Sequence, residues 1–115
     1  MPEHLTSPHR VPVPGGKIID EYAGQASTGT PAVSVARMIA PGGWEEPAQT
    51  PDFDEITFVL RGTVRVEHDG ALDVSAGEAV LTRAGERVRY STPDGAEYLA
   101  ICTPAFSPDA AHRED

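Results

Sequence analysis

The chain has 115 residues, with 18 Asp and Glu against 9 Lys and Arg, for a formal net charge of −9. That length makes one domain the default and lets it bury a core without staples, while the charge repels phosphate backbones and anionic membranes. Nucleic-acid partners are not expected. The single cysteine, Cys102, excludes an intrachain disulfide, residues 1–10 hold no apolar leader core, and no run approaches a membrane span, so a cytoplasmic protein is expected.

Met1 to Gly16 is rich in Pro, His and Gly and has little periodicity, so it reads as an arm, either flexible or donating a strand. Lys17 to Ala23 offers a first strand, and Gln25 to Pro31 a loop. Ala32 to Ala40 is a clear strand with Val33, Val35 and Ile39 on one face, ended by Pro41-Gly42-Gly43. Trp44 to Gln49 is a short extended piece before the bend at Thr50-Pro51-Asp52. Strands over Glu55 to Leu60 and Thr63 to His68 are expected, joined tightly at Arg61-Gly62. Asp69-Gly70 is a hairpin signal, because both residues tolerate positive φ. Leu72 to Val74, Ala79 to Thr82, Arg87 to Ser91 and Ala96 to Thr103 complete the strands, with a further turn at Thr92-Pro93-Asp94-Gly95. Turn signals near positions 42, 62, 70, 77, 85 and 95 are mostly seven to ten residues apart, the spacing of an all-β sandwich or barrel. The plan is thus an arm over 1–16, a barrel over 17–105 and a tail over 106–115, in which Ala110 to Glu114 can form one helical turn.

Two blocks carry a family resemblance. Glu55 is followed by Gly62 seven residues later, and Gly77 by Gly85. These spacings resemble the two signature motifs of cupins, in which two His precede the Glu, and a Pro and a further His accompany the glycines. The His positions of the first motif fall here on Gln49 and Pro51, the His of the second on Val88 and its Pro on Arg83. The run from Glu46 to Gly62, with Val88-Arg89-Tyr90-Ser91-Thr92-Pro93, resembles the His-poor cupin domain of EutQ-type ethanolamine-utilisation proteins. The resemblance implies a cupin-type double-stranded β-helix, a jelly-roll barrel with a pocket at one end, often dimeric. It covers roughly residues 40–105 and implies no single activity, since cupins host many chemistries.

If Glu55 points inward, strand alternation places Thr57 and Val59 with it, and Gln49, Pro51 and Phe53 by extension. Val88, Tyr90 and Thr92 face the same lumen. Two readings stand for Glu55: an acid–base group whose charged form is disfavoured by burial, or a hydrogen-bond acceptor that holds the rim. In the first, Glu55 and Tyr90 are catalytic, and Gln49, Thr57, Phe53, Val88 and Trp44 bind substrate. Glu45 and Glu46 read as a solvated acidic loop or as groups at the barrel mouth. Asp52 and Asp54 face outward by parity. Arg83, Arg87 and Arg89 also face outward and answer surface carboxylates. His4, His9 and His68 lie away from the ligand positions, His112 sits in a tail able to fold over a mouth, and Cys102 reads as a small core residue.

No tightly bound redox metal is expected, because first-row transition metals favour imidazole or thiolate donors. Glu55, Gln49, Glu46 and His112 are weak candidates for a loosely held divalent ion. Two functional classes follow: an enzyme doing acid–base chemistry of isomerase, cyclase or lyase type on a small molecule, and a non-catalytic metabolite-binding or regulatory barrel. The resemblance adds a third, a role in ethanolamine utilisation with its associated acetate-kinase-type activity, against which the chain has no Gly-rich phosphate loop. Exposed sheet edges favour a homodimer, with Val11 to Ile19 able to join a partner's sheet.

Overall fold

Alternating apolar and polar residues between frequent turns build an antiparallel barrel in the computed structural model, which describes residues 1–114. Asp115, the last residue of the expected tail, lies outside the described residues. Among them are nine strands, β1 (His9–Val11), β2 (Ile18–Ala23), β3 (Ser34–Ala40), β4 (Trp44–Glu45), β5 (Asp54–Glu67), β6 (Ala71–Ser75), β7 (Ala79–Thr82), β8 (Arg89–Thr92) and β9 (Ala96–Thr103), and one helical turn, α1 (Pro108–Ala111). No helix among them is long and apolar enough to cross a membrane.

The long strand β5 is the hinge of the architecture. Its first half pairs with β9 and β7, and its second half with β6 and β8. One sheet therefore runs β1-β2-β3-β9-β5-β7, and the other is formed by β6, the far half of β5, β8 and β4. This is the double-sheet jelly roll expected from the motifs. The expected tight turn at Arg61-Gly62 is corrected: the register slips between Val59 and Arg61, and the strand continues through Gly62. A bulge of this kind bends a strand without ending it. The hairpin at Asp69-Gly70 forms as expected, with Asp69 at φ 54 and Gly70 at φ 148.

Small side chains narrow the interior of the larger sheet. Ser34, Ala36, Ala100 and Cys102 are buried, while Val35, Ile39, Leu99 and Ile101 on the opposite face are only partly so. The main core gathers Val59, Val64, Val66, Val74, Val88, Tyr90 and Tyr98. A second cluster joins Phe53, Cys102 and Ala111, with Phe106 against them.

Segments of the arm and of the tail are drawn onto the barrel. Val11 pairs with Ile19, so the arm adds β1 to its own chain's sheet. In the tail, Ser107 caps α1 by accepting from the Ala110 amide, with Pro108 starting the turn. The helical turn thus starts two residues before the expected Ala110 to Glu114 and overlaps it at Ala110 and Ala111. Asp52 N donates to Ala110 O at 2.8 Å and Glu114 N to Ala48 O at 2.8 Å. These bonds tie the tail across the segment that leads into β5.

Candidate functional site

Pairing register fixes which side chains share the lumen. On β5, Glu55, Thr57 and Val59 lie opposite Cys102, Ala100 and Tyr98 of β9. On the other flank, Glu55 and Thr57 face Thr82 and Val80 of β7. Trp44 of β4 pairs with Thr92 of β8, and Gln49 bridges to Val88. Strand alternation turns each of these sets to one side of its sheet.

Glu55 is partly buried. Desolvation is the largest influence on its carboxyl and raises it from 4.5 to about 7, with Glu46 adding to the rise and Lys17 and Arg113 opposing it. Lys17 is partly buried in the same neighbourhood. Its ammonium Nζ stands 3.7 Å from the Trp44 ring centroid and 5.5 Å from that of Tyr98, a cation–π arrangement. Burial lowers Lys17 to about 8, against the pull of Glu46 and Glu55. The lumen thus holds a carboxyl and an amine that both titrate near neutrality.

The Tyr90 hydroxyl lies 2.7 Å from Thr82 Oγ1, which itself donates to the Glu55 backbone carbonyl at 3.3 Å. Thr82 has one hydroxyl proton, so Tyr90 is the donor to it. Burial, then the charge of Glu55, pushes the phenol far above its ordinary range. Tyr90 is therefore a neutral phenol whose proton is already engaged. Tyr90→Phe is expected to lower stability by about 1 kcal/mol, the worth of a typical buried hydrogen bond. Denaturant titration reads this directly, and an unchanged midpoint would contradict the bond.

Other predicted positions separate into lumen, core and surface. Gln49 is buried, and its Oε1 accepts from Arg113 Nη2 at 3.2 Å. Val88 is a fully buried core residue. Phe53 packs edge-on against Phe106 at 5.8 Å, in the cluster beneath the tail. Trp44 is the platform under Lys17. Thr57 is buried, and its Oγ1 has no partner among the described residues.

The acidic loop splits. Glu45 is exposed and pairs with Arg89 at 2.8 Å, whereas the Glu46 side chain is 15% exposed and lies 3.4 Å from Arg113. The reading of Glu46 as a solvated charge is thereby corrected. His112 is also displaced from its expected place. It is exposed in a left-handed conformation, with Nε2 2.7 Å from Asp52 Oδ2 on the outer surface. The tail reaches the lumen rim through Arg113, its neighbour. Arg87 pairs with Glu114, and Arg89 with Glu45 and Glu67. Cys102 is buried, which raises its thiol and leaves it unreactive.

Lys17 and Arg113 had no motif to announce them. One sequence signal was present for the first: Lys17 is the sole lysine of the chain. Its place one residue before β2, in step with Ile19 opposite Met38, aims it with the inner set.

The usual metal positions of this barrel type do not fit a transition ion here. Val88 offers no donor, Pro51 offers no side-chain donor, and Gln49 is engaged by Arg113. Two cations, Lys17 and Arg113, act on the remaining carboxyl. No group of three or more metal-ligating side chains gathers among the described residues.

A family model described as Cupin domain matches residues 36–102. The chain is 46% identical over 108 residues to Endoribonuclease YbeY of Myxococcus xanthus, covering 90% of this chain and 36% of that protein. It is 33% identical over 57 residues to Acetate kinase EutQ of Clostridioides difficile, covering 49% of this chain and 36% of that one. The chain thus spans 36% of the length of each of these curated relatives. Among solved structures, an RmlC-like cupin from Shewanella frigidimarina superposes with a TM-score of 0.76 at 16% identity, over 90% of this chain and 93% of that one.

Proposed function

The chain belongs to the cupin family, and from that premise we propose that it performs acid–base chemistry on a small organic molecule inside the barrel. Glu55 is the general acid or base. The observation that carries this reading is its carboxyl, held on the lumen face and raised to about 7, near the working optimum for proton transfer at neutral pH. Isomerisation, cyclisation and elimination all need such a group. Tyr90 positions rather than transfers a proton, because its own is given to Thr82.

Deuterium incorporation tests this without knowledge of the reaction. Small carbonyl compounds and hydroxy acids are incubated with the protein in heavy water and read by NMR. At least one should exchange a carbon-bound proton, and Glu55→Gln should slow that exchange by about 100-fold or more. Exchange that persists in the variant rules out the role of Glu55.

A second reading, a non-catalytic binding or regulatory barrel, is favoured by the loss of donors at Pro51 and Val88. Exchange by no compound, together with ligands that raise the melting temperature, would favour it. A EutQ-like role draws on 33% identity over 57 residues; a charge of −9 with no Gly-rich phosphate loop weighs against phosphoryl transfer. The same charge weighs against RNA cleavage by this barrel. A loosely held divalent ion stays compatible with Glu55 and Glu46. One equivalent of metal in chelator-free protein would replace the metal-free scheme.

We place the protein in the cytoplasm, as a homodimer that meets through the outer face of the larger sheet. Ile56, Phe58, Leu60 and Leu81 are each about two-fifths exposed there, and Ile56 pairs with both Leu81 and Ile101. Such a contiguous apolar face marks an interaction surface. Light scattering is expected to give twice the 12.2 kDa chain mass, and Phe58→Asp to give a monomer. A wild-type mass near 12.2 kDa contradicts the dimer.

A further inference from the structure

We propose that Lys17 is the carboxylate-binding group of the lumen, so that the ligand of this barrel is a small organic acid with one negative charge. The inference names the substrate class for the acid–base reading above and rests on that reading for its chemistry, though not for its binding.

The chain answers its surface carboxylates with arginine. Among the described residues, seven of its eight arginines lie within 4.0 Å of a carboxylate. The one lysine is placed differently. Among the described residues no carboxylate lies within salt-bridge distance of its Nζ, and its near neighbours are the faces of Trp44 and Tyr98. The ammonium is held there by construction. Val11 pairs with Ile19, which fixes the hairpin around Lys17, and Gly15 and Gly16 turn the chain at φ 83 and 78. A Cβ on Gly15 would meet the Trp44 ring at 3.9 Å, so this turn lies against the same platform.

The local charge balance calls for an anion. Glu46 is paired with Arg113. Glu55 is neutral for much of the range below pH 7, because its carboxyl is raised. Lys17 is then a partly buried cation with no directly paired carboxylate among the described residues, a costly state that a bound anion relieves.

A second observation points the same way. Thr57 is 1% exposed and its hydroxyl has no partner, although nearly all buried polar groups find one. It lies on the inner face of β5, two residues beyond Glu55. That hydroxyl has less than 1 Å² of accessible surface, so a ligand carboxylate or hydroxyl satisfies it only where the side chains over it part to admit the ligand. The anion is a monocarboxylate rather than a phosphate. One ammonium and one hydroxyl match a single charge, and a dianion would bring a second charge toward Glu46.

The sole lysine makes the test direct, since protein grown on isotope-labelled lysine gives one side-chain NMR signal. That signal is followed during titration with lactate, pyruvate, glycolate and crotonate, and with the neutral amide of each. At least one acid should shift it saturably, with its amide about 10-fold weaker or worse, a difference of about 1.4 kcal/mol. Lys17→Met, which keeps the stem, should lose the acid's binding by at least a similar factor, measured calorimetrically. Lys17→Arg should retain more of it than Met, and Thr57→Val should weaken it less than Met does. Amides that bind as well as acids, or no shift with any acid, overturn the proposal. Glu55→Gln separates the two claims. If acids bind the wild-type protein and this variant, and Lys17→Met loses them, yet the wild-type protein exchanges deuterium into no compound, the lysine site stands and the acid–base reading fails. If only neutral compounds exchange and no acid reaches Lys17, the reverse holds.

Discussion

Glu55→Gln is expected to raise the melting temperature at pH 8 and to leave it nearly unchanged at pH 5. The carboxyl is raised in the folded protein from 4.5 to about 7, chiefly by desolvation. A raised acid binds its proton more tightly folded than unfolded. Its contribution to stability is therefore complete below pH 4.5 and is lost as pH rises through about 7. Above that, folding must desolvate a charged carboxylate beside Glu46. Glutamine keeps the shape and stays neutral, so it removes this penalty only where Glu55 would be ionised. The ceiling is about 3 kcal/mol at 1.36 kcal/mol for each tenfold in proton affinity. Partial exposure of Glu55, and the lost attraction to Lys17, reduce it to about 1–2 kcal/mol, or roughly 3–8 °C. Scanning calorimetry at the two pH values checks the sign. A variant less stable at pH 8 would mean that Glu55 is a paired carboxylate holding the rim. A gain in stability with a loss of proton exchange would instead mark it as a group kept at a cost to the fold.

Much of the barrel was legible because strand alternation and turn chemistry are local. The strands from Ser34 to Thr103 lie where the alternation put them, often within a residue or two at each end. Arg61-Gly62 misled for a physical reason: a glycine at positive φ looks the same in sequence whether it ends a strand or bends one. The apolar set on β3 carried a similar ambiguity. Val35 and Ile39 mark an amphipathic strand, yet they lie on the outer face, and the lumen side is the smaller Ser34, Ala36 and Ala40. A narrow barrel interior reverses the usual inference from hydrophobicity to burial.

The site divides along the same line. The shared inward parity of Glu55, Thr57 and Tyr90 was legible because they sit on regular strands, where one anchor fixes the parity of the rest. Lys17 and Arg113 act on Glu55, but they lie in an arm and a tail that reach the lumen only through tertiary pairing. His112 and Arg113 are adjacent, and no sequence rule tells which one turns inward. The left-handed conformation of His112 at φ 49 closes α1, and the bridge from Arg113 to Gln49 follows it. These are consequences of how the tail docks rather than of its composition.

Gly62→Ala is expected to be the most damaging small substitution in the chain. Gly62 has φ +78, and a Cβ there would lie 2.3 Å from the Gly95 carbonyl oxygen and 3.0 Å from the Ala96 Cα. Both obstacles are backbone, so no rotamer change relieves them. The left-handed conformation alone costs alanine roughly 1–2 kcal/mol. The clash adds more, because β5 and β9 must separate where Gly62 pairs with Ala96. A total of about 4 kcal/mol or more is a large share of the roughly 5–15 kcal/mol that holds such a domain together. Gly85→Ala is the control. Gly85 has φ +89 but open space around its missing Cβ, so it should lose only the conformational part. Equal destabilisation of the two variants, measured by denaturant titration, would remove steric contact as the cause. The difference matters for the site. The bend at Gly62 lets one strand set Glu55 between β7 and β9 and then cross to build the second sheet with β6 and β8. The glycine seven residues after the glutamate is thus the covalent link between the position of the carboxyl and the closure of the lumen around it.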